Sequence, residues 1–143
     1  MTLAATAVAV PALFVRRARA QLSPVDPAIA AITKGAPVGK GRIKLEIPAL
    51  ADNGNSVPLK ITVDSSMSTG QRVKSIHLVS EKNPVRNMAN YYFGPRAGRP
   101  EVATRVRLAG AQTITALAQL SDGSFWMDTA EVVVTSSACL DES

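Results

Sequence analysis

From Arg42 to Thr135 the chain alternates apolar and polar residues with a period of two, broken at regular intervals by turn-forming clusters. In "RIKLEI" (42–47), Ile43, Leu45 and Ile47 share one face and the charges take the other, as in a half-buried strand. "VPLKITV" (57–63) places Val57, Leu59, Ile61 and Val63 together. Pro58 falls on the opposite face and marks an edge strand or a strand start, because proline cannot donate to a ladder. "RVKSIHLV" (72–79), "MANYYF" (88–93), "EVATRVRL" (101–108), "TITALAQL" (113–120) and "FWMDTAEVVVT" (125–135) read as five further strands. Val102, Thr104, Val106 and Leu108 point inward in this reading, and Arg105 and Arg107 point outward. The separators "ADNGNS", "EKNPVRN", "GPRAGRP" and "SDGS" are turn sequences, with Gly123 free to take a positive φ. Seven short strands at this spacing predict an all-β fold, an antiparallel β-sandwich of immunoglobulin-like type.

Ahead of the strands the period changes. In "SPVDPAIAAITKGAPVG" (23–39) the pattern predicts one short helix over Pro27–Lys34. Asp26 can cap it, Pro27 suits its first turn and Gly35 can stop it. Beyond Thr135 the pattern ends. Residues 136–143, "SSACLDES", are small or polar apart from Leu140, so they offer nothing to bury and read as a flexible C-terminal arm. About eight extended residues reach roughly 25 Å.

The first 20 residues read as a targeting segment. Leu3 to Val15 is an apolar run too short to span a bilayer, which takes ~20 residues. Ala18 and Ala20 suit cleavage before Gln21. No basic residue precedes the apolar run, so the expected start of the signal lies upstream; the alternative is a buried element of the fold. The organisation predicted is a removed segment over 1–20, helix and linker over 21–41, sandwich over 42–135 and arm over 136–143.

Charge adds little to this picture. The chain carries 16 basic and 11 acidic residues. Setting aside Arg16, Arg17 and Arg19 in the targeting segment leaves 13 basic against 11 acidic, an ordinary solvated surface and not a nucleic-acid footprint. Arg105 and Arg107 read as solubility and edge protection, or as a surface for an anionic group or acidic partner.

Candidate chemistry is scarce. One histidine and one cysteine exclude a blue-copper ligand set and argue against a zinc site, so no metal and no cofactor are expected. His77 lies within an apolar strand and reads as a hydrogen-bonded strand residue. Asp52, Asp64, Asp122 and Asp128 read as turn-formers, not as a catalytic pair. No phosphate-binding glycine loop is present. The expectation is therefore a protein that is not an enzyme. Cys139 has no internal partner, which leaves it free, bridged to another chain or chemically used. A thiol on a terminal arm suits a carrier better than a catalyst, whose thiol must be held rigidly beside a base.

Four stretches resemble one family. "IPALADNGNSVPLKITVDSSM" (47–67), "VKSIHLVSEKNPV" (73–85), "EVATRVRLAGAQTITALAQLSDGSFW" (101–126) and "EVVVT" (131–135) are similar to SoxY, the sulfur-carrier subunit of the periplasmic thiosulfate-oxidising Sox system. The resemblance runs from about Ser23 to the end. It implies an immunoglobulin-like sandwich paired with a SoxZ-like sandwich as a heterodimer. It also implies a C-terminal cysteine joined oxidatively to thiosulfate by a haem enzyme and then served by hydrolytic Sox enzymes. Periplasmic export by a twin-arginine signal is implied as well; Arg16-Arg17 follows the apolar run and is not that motif.

In the family the cysteine stands four positions after a strand threonine. Thr135 and Cys139 share that spacing, so Cys139 is the implied point of covalent attachment. The family's arm is Gly-Gly-Cys-Gly-Gly, whereas here Ser137 and Ala138 precede the thiol and Leu140 and Asp141 follow it. Glycine gives an arm the widest backbone freedom. Asp141 and Glu142 beside the sulfur oppose thiolate formation and repel an anionic substrate. Two alternatives stay open: a SoxY-like interaction module with lost or changed cargo, and an unrelated exported sandwich adaptor.

Overall fold

A computed structural model describes residues 26–68 and 70–137. The targeting segment expected over 1–20 and residues 138–143 of the arm, with Cys139, lie outside the described residues.

One helix and nine strands follow in order: α1 (Pro27–Thr33), β1 (Val38–Gly39), β2 (Ile43–Glu46), β3 (Leu50–Ala51), β4 (Val57–Val63), β5 (Val73–Ser80), β6 (Asn87–Tyr92), β7 (Glu101–Val106), β8 (Gln112–Leu120) and β9 (Phe125–Val134). The smaller sheet has the order β2-β4-β7, and the larger the order β1-β9-β8-β5-β6 with β3 also on β9. Apart from β1 and β3, this is the immunoglobulin-like arrangement, with three strands facing four. The seven strands anticipated from alternation are all present. Pro58 is the second residue of β4, past the end of β2, whose register on β4 runs only over Lys60–Val63.

The core forms where the two inward faces meet. Leu59, Ile61 and Val63 of β4 pack with Ile76 and Leu78 of β5, and Ile114 and Ala116 of β8 complete the layer. Ile61, Ile76, Leu78 and Ile114 are fully buried. Burying one such aliphatic side chain contributes about 1.5–3 kcal/mol. This core stands in for the intersheet disulfide that a single cysteine cannot make.

The larger sheet also buries part of its outer face. Asp26 accepts a hydrogen bond from the N–H of Ala28 at 2.9 Å, Pro27 opens the helix, and Lys34 closes it in the left-handed conformation. The helix ends at Thr33, one residue earlier than its pattern suggested, because Lys34 takes the C-cap. Ile29 packs on Leu117 and Phe125, with Ile32, Val38 and Met127 around them. The guanidinium of Arg86, beyond β5, pairs with the Asp26 carboxylate and ties the helix start to the sheet.

Strands β1 and β3 differ from the sequence expectation. Each has two residues, and each runs parallel to β9, at its beginning and its end respectively. The sandwich is therefore antiparallel in its main ladders with two short parallel additions. A two-residue strand has too few positions for alternation to register, so tertiary contact alone selects it. At Gly39 the reason is visible: a Cβ there would stand 2.7 Å from Cζ3 of Trp126. The indole is held by Nε1 donating to Ser124 Oγ at 3.0 Å, under the Arg42 guanidinium at 5.4 Å.

Candidate functional site

The segment that bears Cys139 leaves the fold at the end of β9, and residues 49–54 pin that end. The N–H of Val133 donates to the carbonyl of Ala49 at 2.8 Å, and that of Thr135 to Ala51 at 3.1 Å. Thr135 Oγ1 donates to the carbonyl of Asp52 at 2.9 Å. The N–H of Gly54 donates to the carbonyl of Ser136 at 2.7 Å, and the carbonyl of Gly54 accepts from Leu108 at 2.8 Å. The turn "ADNGNS" thus does more than join β2 to β4, since it holds the chain two residues past the last strand.

At this root two exposed apolar side chains stand side by side. Leu50 and Val133 are partners in the β3–β9 register, with 59% and 54% of their surfaces exposed. The pattern reading set Val133 in its last strand but gave Leu50 no element and Ala51 to a turn, so it did not bring the two together.

The other singled-out residues separate. His77 is buried on the outer side of the larger sheet, opposite Asn90 of β6. Its Nδ1 donates to Asn90 Oδ1, which leaves Nε2 to accept from Ser75 Oγ at 3.0 Å. The Tyr92 ring packs against it edge to face, with 6.2 Å between centroids. Both nitrogens are engaged, as the hydrogen-bonded strand reading anticipates. Asp122 accepts from the Ser124 N–H at 2.9 Å and is a turn-former as expected; the Ser124 hydroxyl holds its carboxyl below the ordinary value.

Asp128 corrects the turn-former reading. It lies within β9, opposite Ala116, and its Oδ2 accepts from the N–H of Leu45 in β2 at 2.9 Å. That bond joins the two sheets and satisfies a donor on β2. Asp52 acts through its carbonyl on Thr135, and Asp64 through its N–H, which donates to Arg42. Among the described residues, no three His, Cys, Asp or Glu side chains cluster to hold a metal ion. No helix among them is long and apolar enough to cross a membrane.

Fold and root together define a class: an immunoglobulin-like sandwich whose pinned last strand continues into a segment carrying the chain's one cysteine. The family model for the sulfur oxidation protein SoxY matches residues 29–139, more than half of the chain, and the chain belongs to the SoxY family. Membership places it in sulfur oxidation, in a carrier-type role. No curated protein matches the chain.

Among solved structures it is similar to a superoxide reductase (neelaredoxin) from Ignicoccus hospitalis, with a TM-score of 0.58 and 17% identity over 66% of this chain and 80% of that one. A putative superoxide reductase from Thermotoga maritima gives 0.57 and 18%, over 72% and 89%. The superoxide reductase from Nanoarchaeum equitans gives 0.55 and 14%, over 67% and 100%. At these identities the likeness is one of fold alone.

Proposed function

We propose that this protein carries sulfur intermediates covalently on Cys139 during thiosulfate oxidation, as the Y-type subunit of a heterodimer with a SoxZ-like sandwich. The observation that supports this best is that the SoxY match runs through to residue 139, the chain's only cysteine. That cysteine stands four residues past Thr135, among the described residues the last whose side chain hydrogen-bonds back to the fold. A thiol so placed can enter another protein's active site while the sandwich stays outside.

The chemistry proposed is that of a tether. A haem enzyme takes two electrons as the Cys139 thiolate and thiosulfate join through a new S–S bond. A hydrolytic enzyme then adds water across the terminal sulfur–sulfur bond, releasing sulfate and leaving a persulfide on the carrier. The protein supplies the attachment point and no catalytic group. The site of action proposed is the periplasm, after removal of the N-terminal segment.

A second reading is favoured by the tail itself. Ser137, Ala138, Leu140 and Asp141 occupy positions where the family's arm has glycine. A SoxY-like module with changed cargo would keep the partner and lose the adduct.

One experiment separates the two. The chain is reconstituted with its SoxZ-like partner and the Sox enzymes, given thiosulfate, and weighed intact. A sulfur adduct that disappears in Cys139→Ser is expected. A heterodimer that stays unmodified, while the haem enzyme loads a glycine-armed SoxY, would overturn the carrier reading.

A further inference from the structure

The side of the sandwich between β6 and β7 is open, since each is the outer strand of its sheet. A groove of about 430 Å³ lies there. Pro84, Val85, Met88 and Tyr91 form its apolar wall, and Arg105 and Arg107 line it with positive charge. No acidic residue lines it among the described residues. Among those residues neither arginine forms an ion pair; Arg105 Nη1 donates to the Ser56 hydroxyl at 3.2 Å.

The chain leaves the fold beside this groove. Ser137 Oγ lies 3.5 Å from where a Cβ on Gly110 would stand. Asn83, on the groove wall, ties the same segment down: its Nδ2 donates to the Arg107 carbonyl at 2.8 Å and its Oδ1 accepts from the Ala109 N–H at 2.9 Å. Gln112 Nε2 bridges Asn83 Oδ1 and the Gly110 carbonyl. Arm root and groove therefore share the short stretch from Arg107 to Gly110.

Beyond Ser137 the tail supplies one large apolar side chain, Leu140, followed at once by two carboxylates, Asp141 and Glu142. At ~3.3–3.6 Å per residue, Leu140 can stand up to about 10 Å from Ser137 and Glu142 up to about 17 Å. Arg107 and Arg105 lie three and five residues before Gly110, so along an extended chain they stand at most about 10 and 17 Å from it, within the same reach. A short tether also gives the tail an effective concentration in the millimolar range, which a free acidic peptide must match.

We propose that residues 140–142 of the chain's own tail seat in this groove, Leu140 against Met88 and Tyr91 and the two carboxylates on Arg105 and Arg107. Seating parks the Cys139 thiol against the sandwich. Exposed ion pairs are weak and screened by salt, so the tail is released readily when another surface competes for it. A glycine arm has neither the apolar anchor nor the charges to do this. The docking stands on the groove and on the composition of the tail, and it holds whether or not the thiol carries sulfur.

The test is solution NMR of the reduced full chain at low ionic strength. Nuclear Overhauser contacts are expected from the Leu140 methyls to the Met88 methyl and the Tyr91 ring. They should vanish in about 1 M salt, where the Debye length falls to about 3 Å. They should also vanish in Arg105→Glu/Arg107→Glu and return when Asp141→Arg/Glu142→Arg is added. Unchanged Ile61 and Leu117 resonances, from the core and from beneath the helix, verify that each variant is folded. Absence of the contacts at low salt would overturn the proposal, as would contacts indifferent to both salt and charge reversal. Contacts seen only between differently labelled copies in a mixed sample would assign the groove to a second molecule and overturn it too. No sulfur substrate is involved, so the result is independent of the adduct experiment.

Discussion

The backbone N–H of Leu45 in β2 donates to the Asp128 carboxylate in β9 across 2.9 Å, joining strands that belong to different sheets. β2 is an outer strand of the smaller sheet, and the bond satisfies a half-buried donor that no ladder reaches. Asp128→Ala is expected to lower folding stability by about 1–3 kcal/mol, the cost of leaving a buried donor unsatisfied. Asp128→Asn, which keeps an acceptor oxygen, should lose less. Urea unfolding with an unchanged m-value reads the difference.

Gly39 is required by the face of Trp126. A methyl group there meets a ring carbon at 2.7 Å, and the indole is itself held by Ser124 and covered by Arg42. Gly39→Ala should cost roughly 1–3 kcal/mol, as overpacking does. The fluorescence of the sole tryptophan should shift as the ring moves.

Leu117 is fully buried between the larger sheet and α1. Leu117→Ala should destabilise the fold by about 2–5 kcal/mol through the lost transfer energy and the cavity left behind. Amide exchange of Ala30 and Lys34, whose N–H groups bond within the helix, should quicken more than that of β5.

The pair of Asp26 and Arg86 predicts an acid dependence. The hydrogen bond from Arg86 holds the Asp26 carboxyl below its ordinary value of 3.8, against some desolvation. A group whose native pKa is depressed contributes stability that is full above its unfolded value and is lost as pH falls through the native one. The loss therefore begins near pH 3.8 and deepens below it. Asp26→Asn keeps the cap on Ala28, since asparagine caps about as well as aspartate, and removes this part of the acid dependence. Thermal melts of both proteins between pH 5 and about 2.5 give the comparison.

The root of the arm can be loosened without touching the core. Thr135→Val removes the bond to the Asp52 carbonyl. A loss of about 0.5–1.5 kcal/mol is expected. Faster exchange at the Gly54 amide, which bonds Ser136, would locate the effect at the arm and not in the sheets.

Much of this fold is legible in the alternation of residues because each long strand buries one face. "VPLKITV" could lie only one way up, since a slip of one residue would turn Leu59 and Ile61 to water. The helix over Pro27–Thr33 was equally legible, because cap, first-turn proline and left-handed stop are local chemistry. The one cysteine and its spacing from Thr135 are likewise properties of the sequence by itself. Three things were decided only by tertiary structure. β1 and β3 exist because β9 offers a free edge to two-residue segments too short to declare themselves. Asp128 became a bridge between sheets because β2 comes to lie beside β9, 83 residues away in the chain. Arg105 of β7 and Arg107 just past its end came to line a groove because closing the sandwich sets β6 and β7 around one opening, while the loop after Arg107 brings Gly110 against Ser137. Periodicity reports which face a residue takes, and only packing reports which distant residue it meets there.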